Sequence, residues 1–210
     1  MQSNDVNLNK LIKRPIQYWF EDGIGEFVMG VLYFLIGINF YLQALITSPQ
    51  IKAILSLVSV FIIGGGVIIT RKLIARIKEH IIYPRTGYVS YPQRIRKTKI
   101  VIIIVILVAV AVFTIFYRKL SISFDWISIV ISVICGALML YQAVQIGVFR
   151  LYVESILAIL MGIVIAFQNL GGMFSSGIFF ISFSIVLMIS GGFAFVFYLK
   201  KSSPIANKEI

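Results

Sequence analysis

Apolar stretches long enough to cross a lipid bilayer recur along this chain, and they constrain its fold more than any other feature. A bilayer core is about 30 Å thick, so a crossing helix needs roughly 20 apolar residues. Hydrophobic residues make up 60% of the sequence and charged residues 13%, and the mean hydropathy is +0.99. These values are typical of membrane proteins. We predict an all-α polytopic transmembrane bundle of about six spans, at residues 24–46, 54–70, 100–117, 127–149, 152–170 and 177–199.

The segments between and around these stretches are short, which leaves little chain for a soluble domain. The first residues lack the basic start of a cleaved signal peptide. Apolar residues then recur at helical spacing, with Pro15 interrupting them, which predicts a short interfacial N-terminal helix. The predicted organisation is an interfacial segment at 1–23, a transmembrane hairpin at 24–70, a basic cytoplasmic segment at 71–99, four further spans at 100–199 and a polar tail at 200–210.

The distribution of the 19 basic residues predicts the orientation, because short loops rich in lysine and arginine stay in the cytoplasm. With six spans, one side receives three basic residues before the first span, nine in residues 71–99, Arg150, and three after the last span. The other side receives Lys52, Arg118 and Lys119. Sixteen against three predicts that both termini are cytoplasmic. In the turn "GVFRLYVE" between the fourth and fifth spans, Arg150 is the one basic anchor, and a re-entrant or continuous helix there would change the span count and could move the C-terminus.

The net charge of +11 does not indicate nucleic-acid binding, because the basic residues flank spans where anionic lipid headgroups attract them. No nucleic-acid-reading motif accompanies them. The single cysteine, Cys135, excludes an intramolecular disulfide. One histidine, His80, and the lack of H-E-x-x-H, G-x-S-x-G and P-loop sequences argue against metal-assisted or nucleophilic catalysis. We expect no metal and no cofactor.

Polar side chains inside spans are the default functional candidates, because burying them in hydrocarbon is costly. Glu26 stands at the inner end of the first span and Glu154 at the inner end of the fifth, and Gln142 and Gln145 lie in the inner third of the fourth. These groups could line a vestibule open to the cytoplasm, where either glutamate could couple proton movement to a conformational change. Alternatively, the glutamates reach headgroups and the glutamines bond neighbouring helices.

Small residues in the spans predict close helix contacts. Gly30, Tyr33 and Gly37 share one helix face with Glu26, which we expect to contact protein. The glycines at 64–66 and 191–192 offer similar surfaces on two other spans.

Two short motifs frame the first pair of spans: "YWFEDGIGE" at residues 18–26 and "YPRTGYV" at residues 83–89. Together they resemble a group of uncharacterised small prokaryotic multi-span membrane proteins that carry YW(F/Y)EDG and YPRTGYV motifs in the same two places. The resemblance covers residues 18–92. It implies a membrane location and a bacterial or archaeal source, and it brings no activity with it.

The stretch "IIYPRTGYVSYP", residues 81–92, interleaves bulky residues with turn formers, which predicts a folded segment rather than a flexible linker. A short hairpin of spans would place it beside the acidic residues that precede the first span. We predict a cytoplasmic cap in which Arg85 pairs with Glu21, Asp22 or Glu26, while Tyr83, Tyr88 and Trp19 pack around it. The alternative is that Arg85 binds a lipid phosphate.

Two function classes remain open from the sequence. The first is a non-enzymatic small transporter, channel or accessory subunit that uses the polar groups of the spans. The second is a membrane-anchored scaffold or regulator whose basic segment at 71–99 binds anionic lipid headgroups or a partner protein. A membrane enzyme ranks third. A homo-oligomer and a partner membrane protein are both compatible with the sequence.

Overall fold

The structure is a computed structural model, and it describes residues 20–82 and 126–201. Within these two ranges every long element is a helix, as predicted. Each of the five long helices has the length and hydropathy needed to span a membrane. They are α1 (Ile24–Leu45), α2 (Pro49–Ile77), α3 (Trp126–Ile146), α4 (Phe149–Ala166) and α5 (Gly172–Lys201), and a π-helical turn at Lys78–Ile82 continues α2.

Five of the six predicted spans coincide with these helices. The third predicted span, at 100–117, lies outside the described residues, as does residue range 1–19 of the predicted interfacial segment. Helix α2 begins earlier than predicted because Pro49 occupies its first turn, where a missing N–H is harmless. Helix α3 ends earlier than predicted because Gly147 adopts a positive φ of 79°.

The backbones of α1 and α5 are in direct contact and run antiparallel. Small residues spaced seven positions apart meet in pairs along the two helices: Gly23, which immediately precedes α1, with Gly191, Gly30 with Ser184 and Gly37 with Gly177. A spacing of seven returns to nearly the same face of a helix, so the pairs form one continuous seam. Tyr33 stacks on Phe183 beside this seam, with ring centroids 6.0 Å apart. The prediction that this face of α1 contacts protein is confirmed.

Helices α3 and α4 form an antiparallel hairpin joined by only Gly147 and Val148. Gly136 lies against Ser155 and Gly162 against Ser132, so small residues again set the contact. The turn that the sequence left with one basic anchor is therefore a true hairpin.

Helix α5 supplies the centre of the core. Phe179, Phe183 and Leu187 are fully buried there, together with Ala158 of α4 and Ala143 of α3. Large aromatic rings bury much apolar area, so they fill the space between helices that the small-residue seams do not occupy.

Helix α2 is the least covered of the five. Only 11% of its most apolar window is buried, against 28% to 39% in the other four helices. Its buried residues are Gly66 and Thr70, and Gly66 lies against Leu32 of α1. Lipid is as apolar as these side chains, so apolar contact alone attaches a helix weakly to a bundle in the membrane. Among the described residues, polar contacts with α1, described below, add to the apolar contacts of α2.

The helix ends define two ends of the bundle. Helices α1 and α4 begin, and α2 ends, at one end, where Asp22, Glu26, Lys78, Arg150 and Glu154 lie close together. We call this the charged end. Because α3 runs antiparallel to α4, it begins at the opposite end.

Candidate functional site

An ion pair joins the first turns of α1 and α4 at the charged end. Arg150 donates from Nη2 to Glu26 Oε1 at 2.7 Å and to the carbonyl oxygen of Phe20 at 3.3 Å. Its Nε also lies 2.5 Å from Glu26 Oε2, although that contact lacks the alignment of a hydrogen bond. The Glu26 side chain is 6% exposed and that of Arg150 is 24% exposed. The carboxylate is therefore sealed inside the bundle, and the guanidinium reaches it from the edge.

A second carboxyl, Glu154, lies beside this pair. It is one helical turn beyond Arg150 on α4 and is only 1% exposed. Its polar surroundings are the Glu26 carboxyl from α1, the Arg150 guanidinium and the Ser190 hydroxyl from α5. Within the described part of the chain, neither Glu154 oxygen has a well-aligned hydrogen bond. This group is thus the least satisfied of the buried acids described.

A further ion pair closes the same end between α1 and α2. Lys78 Nζ lies 2.7 Å from Asp22 Oδ2, and the two side chains are 2% and 3% exposed. Asp22 also accepts a hydrogen bond from the backbone N–H of Ile24 at 3.1 Å, which satisfies a free donor at the start of α1. Burial raises the pKa of Asp22, and the Lys78 ammonium offsets part of that rise.

The charges of the site do not balance. Glu26 and Asp22 each have a cationic partner, whereas Glu154 adds a third acid to two cations. Removing an ionised group from water costs several kcal/mol even after the protein relaxes, and an unpaired buried carboxylate has nothing to offset that cost. With all five groups ionised, the site would carry one excess negative charge.

The structure brings some of the sequence candidates together and separates others. Glu26 and Glu154 are neighbours. Gln142 and Gln145 are exposed on α3, and the Gln145 amide donates to the Tyr141 hydroxyl at 3.1 Å. The described residues therefore form no vestibule lined by all four groups.

The residues of the predicted cap divide between the described and the undescribed parts of the chain. Glu21 is exposed, and Asp22 and Glu26 have the cationic partners given above. Tyr83, Arg85, Tyr88 and Trp19 lie outside the described residues. The cap centred on Arg85 stays a prediction.

Sequence reasoning missed the two cations of the site. Arg150 and Lys78 were counted only as basic residues that fix orientation. The available signal for Arg150 was its position one turn before Glu154, a spacing that places a guanidinium and a carboxyl on the same helix face. Lys78 carried no comparable local signal, because its partner Asp22 lies on another helix.

A second polar cluster joins α1 to α2 away from the charged end. Gln43 Nε2 donates to Ser59 Oγ at 2.9 Å, and Ser59 Oγ donates to Asn39 Oδ1 at 2.6 Å. Gln43 also accepts a hydrogen bond from Ser56 Oγ at 3.2 Å. Asn39 and Gln43 are each 5% exposed. The polar groups of this cluster satisfy one another's hydrogen bonds. The cluster is therefore better suited to holding α2 against α1 than to serving as an open binding site.

Among the described residues, no group of three or more histidine, cysteine, aspartate or glutamate side chains could hold a metal ion. No protein-family model, curated protein or solved structure matches this chain.

Proposed function

We propose that the protein is a six-span protein of the cytoplasmic membrane that acts, without covalent chemistry, as a small transporter, a channel or an accessory subunit of either. The observation that carries this proposal is the buried group of Glu26, Arg150 and Glu154 in helices long enough to span a membrane. Ionisable residues inside membrane helices are costly and commonly mark ion or substrate pathways.

The positions of the described helix ends support six spans. Residue 82 ends a helical turn at the charged end, and α3 begins at the opposite end at residue 126. A chain that joins opposite ends of a membrane bundle crosses the bilayer an odd number of times. The apolar stretch at 100–117 has about the length that one crossing needs. One crossing there, added to the five described helices, gives six.

The basic residues support an orientation with the charged end and both termini in the cytoplasm. Arg71, Lys72 and Arg76 are exposed near the end of α2, on the side where the sequence places sixteen of the 19 basic residues. We propose the cytoplasmic membrane of a bacterium or archaeon, the source that the two motifs imply.

In this proposal the charged end acts as the cytoplasmic gate. Glu26–Arg150 ties α1 to α4, and Asp22–Lys78 ties α1 to α2. A cation that competes with Arg150 or Lys78 for these acids would release one helix from α1. The free energy of binding would then be coupled to a change in helix packing.

A thermal-shift screen in detergent tests this function. The panel contains alkali and divalent metal ions, small organic cations and small carboxylates, and each hit is then assayed for uptake into proteoliposomes. We expect a hit to raise the Tm of the wild type and of Gln145→Ala, an exposed change on α3, but not that of Glu26→Gln. A hit that is taken up equally well by Glu26→Gln would rule out the site, and a panel without hits would contradict the transport proposal.

The exposed basic residues at the end of α2 favour the second candidate, a scaffold or regulator that binds anionic lipid or a partner protein. Its test is the Tm in detergent micelles with and without added anionic lipid. The scaffold proposal predicts a rise for the wild type that disappears when Arg71, Lys72 and Arg76 are all changed to glutamine. An equal rise for both proteins would exclude this role for the three residues.

A further inference from the structure

We propose that Glu154 is a proton-binding site: its carboxyl carries a proton while Arg150 is paired with Glu26, and loss of that proton draws Arg150 from Glu26 towards Glu154. The proton site stands on its own geometry. Only its use as a gate rests on the function proposed above.

The packing around Glu154 leaves few groups that could balance a negative charge. Helix α1 presents Glu26, another acid, and α4 presents Arg150, whose aligned hydrogen bonds go to Glu26 and Phe20. Helix α5 presents the Ser190 hydroxyl, and its only charged residues are Lys200 and Lys201 in its last turn, ten and eleven positions beyond Ser190. Helix α3 contains no charged residue between Trp126 and Ile146.

The other buried cation at the charged end is Lys78, which contacts Asp22, whereas Arg71, Lys72 and Arg76 of α2 are exposed. Asp22 precedes Glu26 by four residues, and its charge disfavours a negative charge on Glu26. Among the described residues, then, Glu154 has one acidic neighbour, one shared guanidinium and one neutral hydroxyl. Two carboxyls that face each other in such a site bind one proton between them more readily than both ionise.

A proton on Glu154 would satisfy the hydrogen-bonding groups around it without any movement of the side chains. The protonated Glu154 carboxyl can donate its O–H to a Glu26 oxygen and accept a hydrogen bond from the Ser190 hydroxyl. Glu26 keeps its negative charge and Arg150 its positive charge, so the group of three becomes neutral. The otherwise unpartnered oxygens of a side chain that is 1% exposed are then satisfied.

Release of the proton would change the pairing. Glu154 is one helical turn from Arg150, within reach of its side chain, so the new carboxylate competes with Glu26 for the guanidinium. If Arg150 turns to Glu154, the Glu26 carboxylate and the Phe20 carbonyl each lose the hydrogen bond from Arg150. The tie between α1 and α4 at the charged end would loosen with the loss of one proton.

The test is modification by a hydrophobic carbodiimide, which reacts with protonated carboxyls inside membranes. The full chain in lipid vesicles is treated at a series of pH values from about 5 to about 9, spanning ordinary and raised carboxyl titrations. Peptide mass spectrometry then measures the modified fraction of each acid. We expect modification of Glu154 at neutral pH that falls as the pH rises, with Glu26 protected by Arg150.

Glu26→Gln provides the matched comparison, because it removes the competing charge and leaves Arg150 free to pair with Glu154. We expect the midpoint for Glu154 modification to move down by at least about one pH unit in this variant. An unchanged midpoint in this variant would overturn the proposal. So would a wild-type protein in which Glu154 is modified after denaturation but not in the folded state.

Thermal stability gives an independent measurement that needs no transport activity. A carboxyl that binds its proton more tightly in the folded than in the unfolded state stabilises the fold at low pH, and this stabilisation is lost as the pH rises. We expect Glu154→Gln, which mimics the protonated form, to keep the wild-type Tm at neutral pH and to show a smaller fall of Tm at higher pH. A large loss of Tm at neutral pH would show that the charge is needed, against the proposal. Neither measurement depends on whether the protein is a transporter.

Discussion

Replacing Gly191 by alanine tests the closeness of α1 and α5. The added Cβ would lie 2.6 Å from the carbonyl oxygen of Gly23 and 2.6 Å from the backbone nitrogen of Phe27. Both are backbone atoms, so no side-chain rotation relieves the contact and the helices must separate. Alanine is intrinsically better than glycine inside a helix by about 1 kcal/mol, whereas overpacking costs about 1–3 kcal/mol and occasionally more. We expect the steric term to win, with a net loss of about 1–2 kcal/mol.

Gly192→Ala is the matched control, because it makes the same chemical change at the next position. The nearest atom to its added Cβ is Phe27 Cδ2 at 3.9 Å, an ordinary van der Waals contact. This variant should keep the wild-type stability or exceed it. The assay is thermal unfolding in detergent with a thiol-reactive dye, since Cys135 is the only cysteine and is partly buried. Equal changes of Tm in the two variants would refute the backbone contact.

Three further predictions concern the charged groups, the polar cluster and the orientation. Arg150→Met should cost about 3–5 kcal/mol of stability by leaving a buried acid unpaired, and adding Glu26→Gln should recover part of that loss in a double-mutant cycle; strict additivity would contradict the pairing. Asn39→Leu should lower the stability by roughly 0.6 to 1.7 kcal/mol, as removal of one interhelical polar contact does in membranes, whereas the exposed Gln142→Leu should leave Tm unchanged. Lys72→Cys, exposed and free of the constraints on buried Lys78, should react with an impermeant thiol reagent only after the cells are opened; labelling of intact cells would reverse the orientation.

The length and composition of the apolar runs were enough to predict most of the helices. Each described helix needs a long apolar stretch whatever its neighbours are, so its existence is a local property of the sequence. The seam of α1 was also predictable, because Gly30 and Gly37 repeat at helical spacing with Glu26. Boundaries depended on single residues such as Gly147, whose positive φ ends α3.

Local sequence patterns could not predict which charged residues pair with one another at the charged end. Glu26 and Arg150 are 124 positions apart, so their contact depends on how the intervening helices pack. The face of α3 that carries Gln142 and Gln145 was not predictable for a related reason. Depth in a span does not specify a face, whereas the small residues Ser132 and Gly136 marked the face of α3 that meets α4. These small residues indicate that both glutamines lie on the face of α3 that points away from α4.

The seam between α1 and α5 also has a consequence for the order in which the protein is assembled. Gly23 and Gly191 are separated by 168 positions, so ribosomes have to complete most of the chain before the two surfaces can meet. During synthesis α1 must wait in the membrane with its glycine face and Glu26 uncovered, or covered by a temporary partner such as the insertion machinery. A chain that stops before α5 would keep that polar, grooved surface open to lipid, in a form that membrane proteases and chaperones can recognise as incomplete.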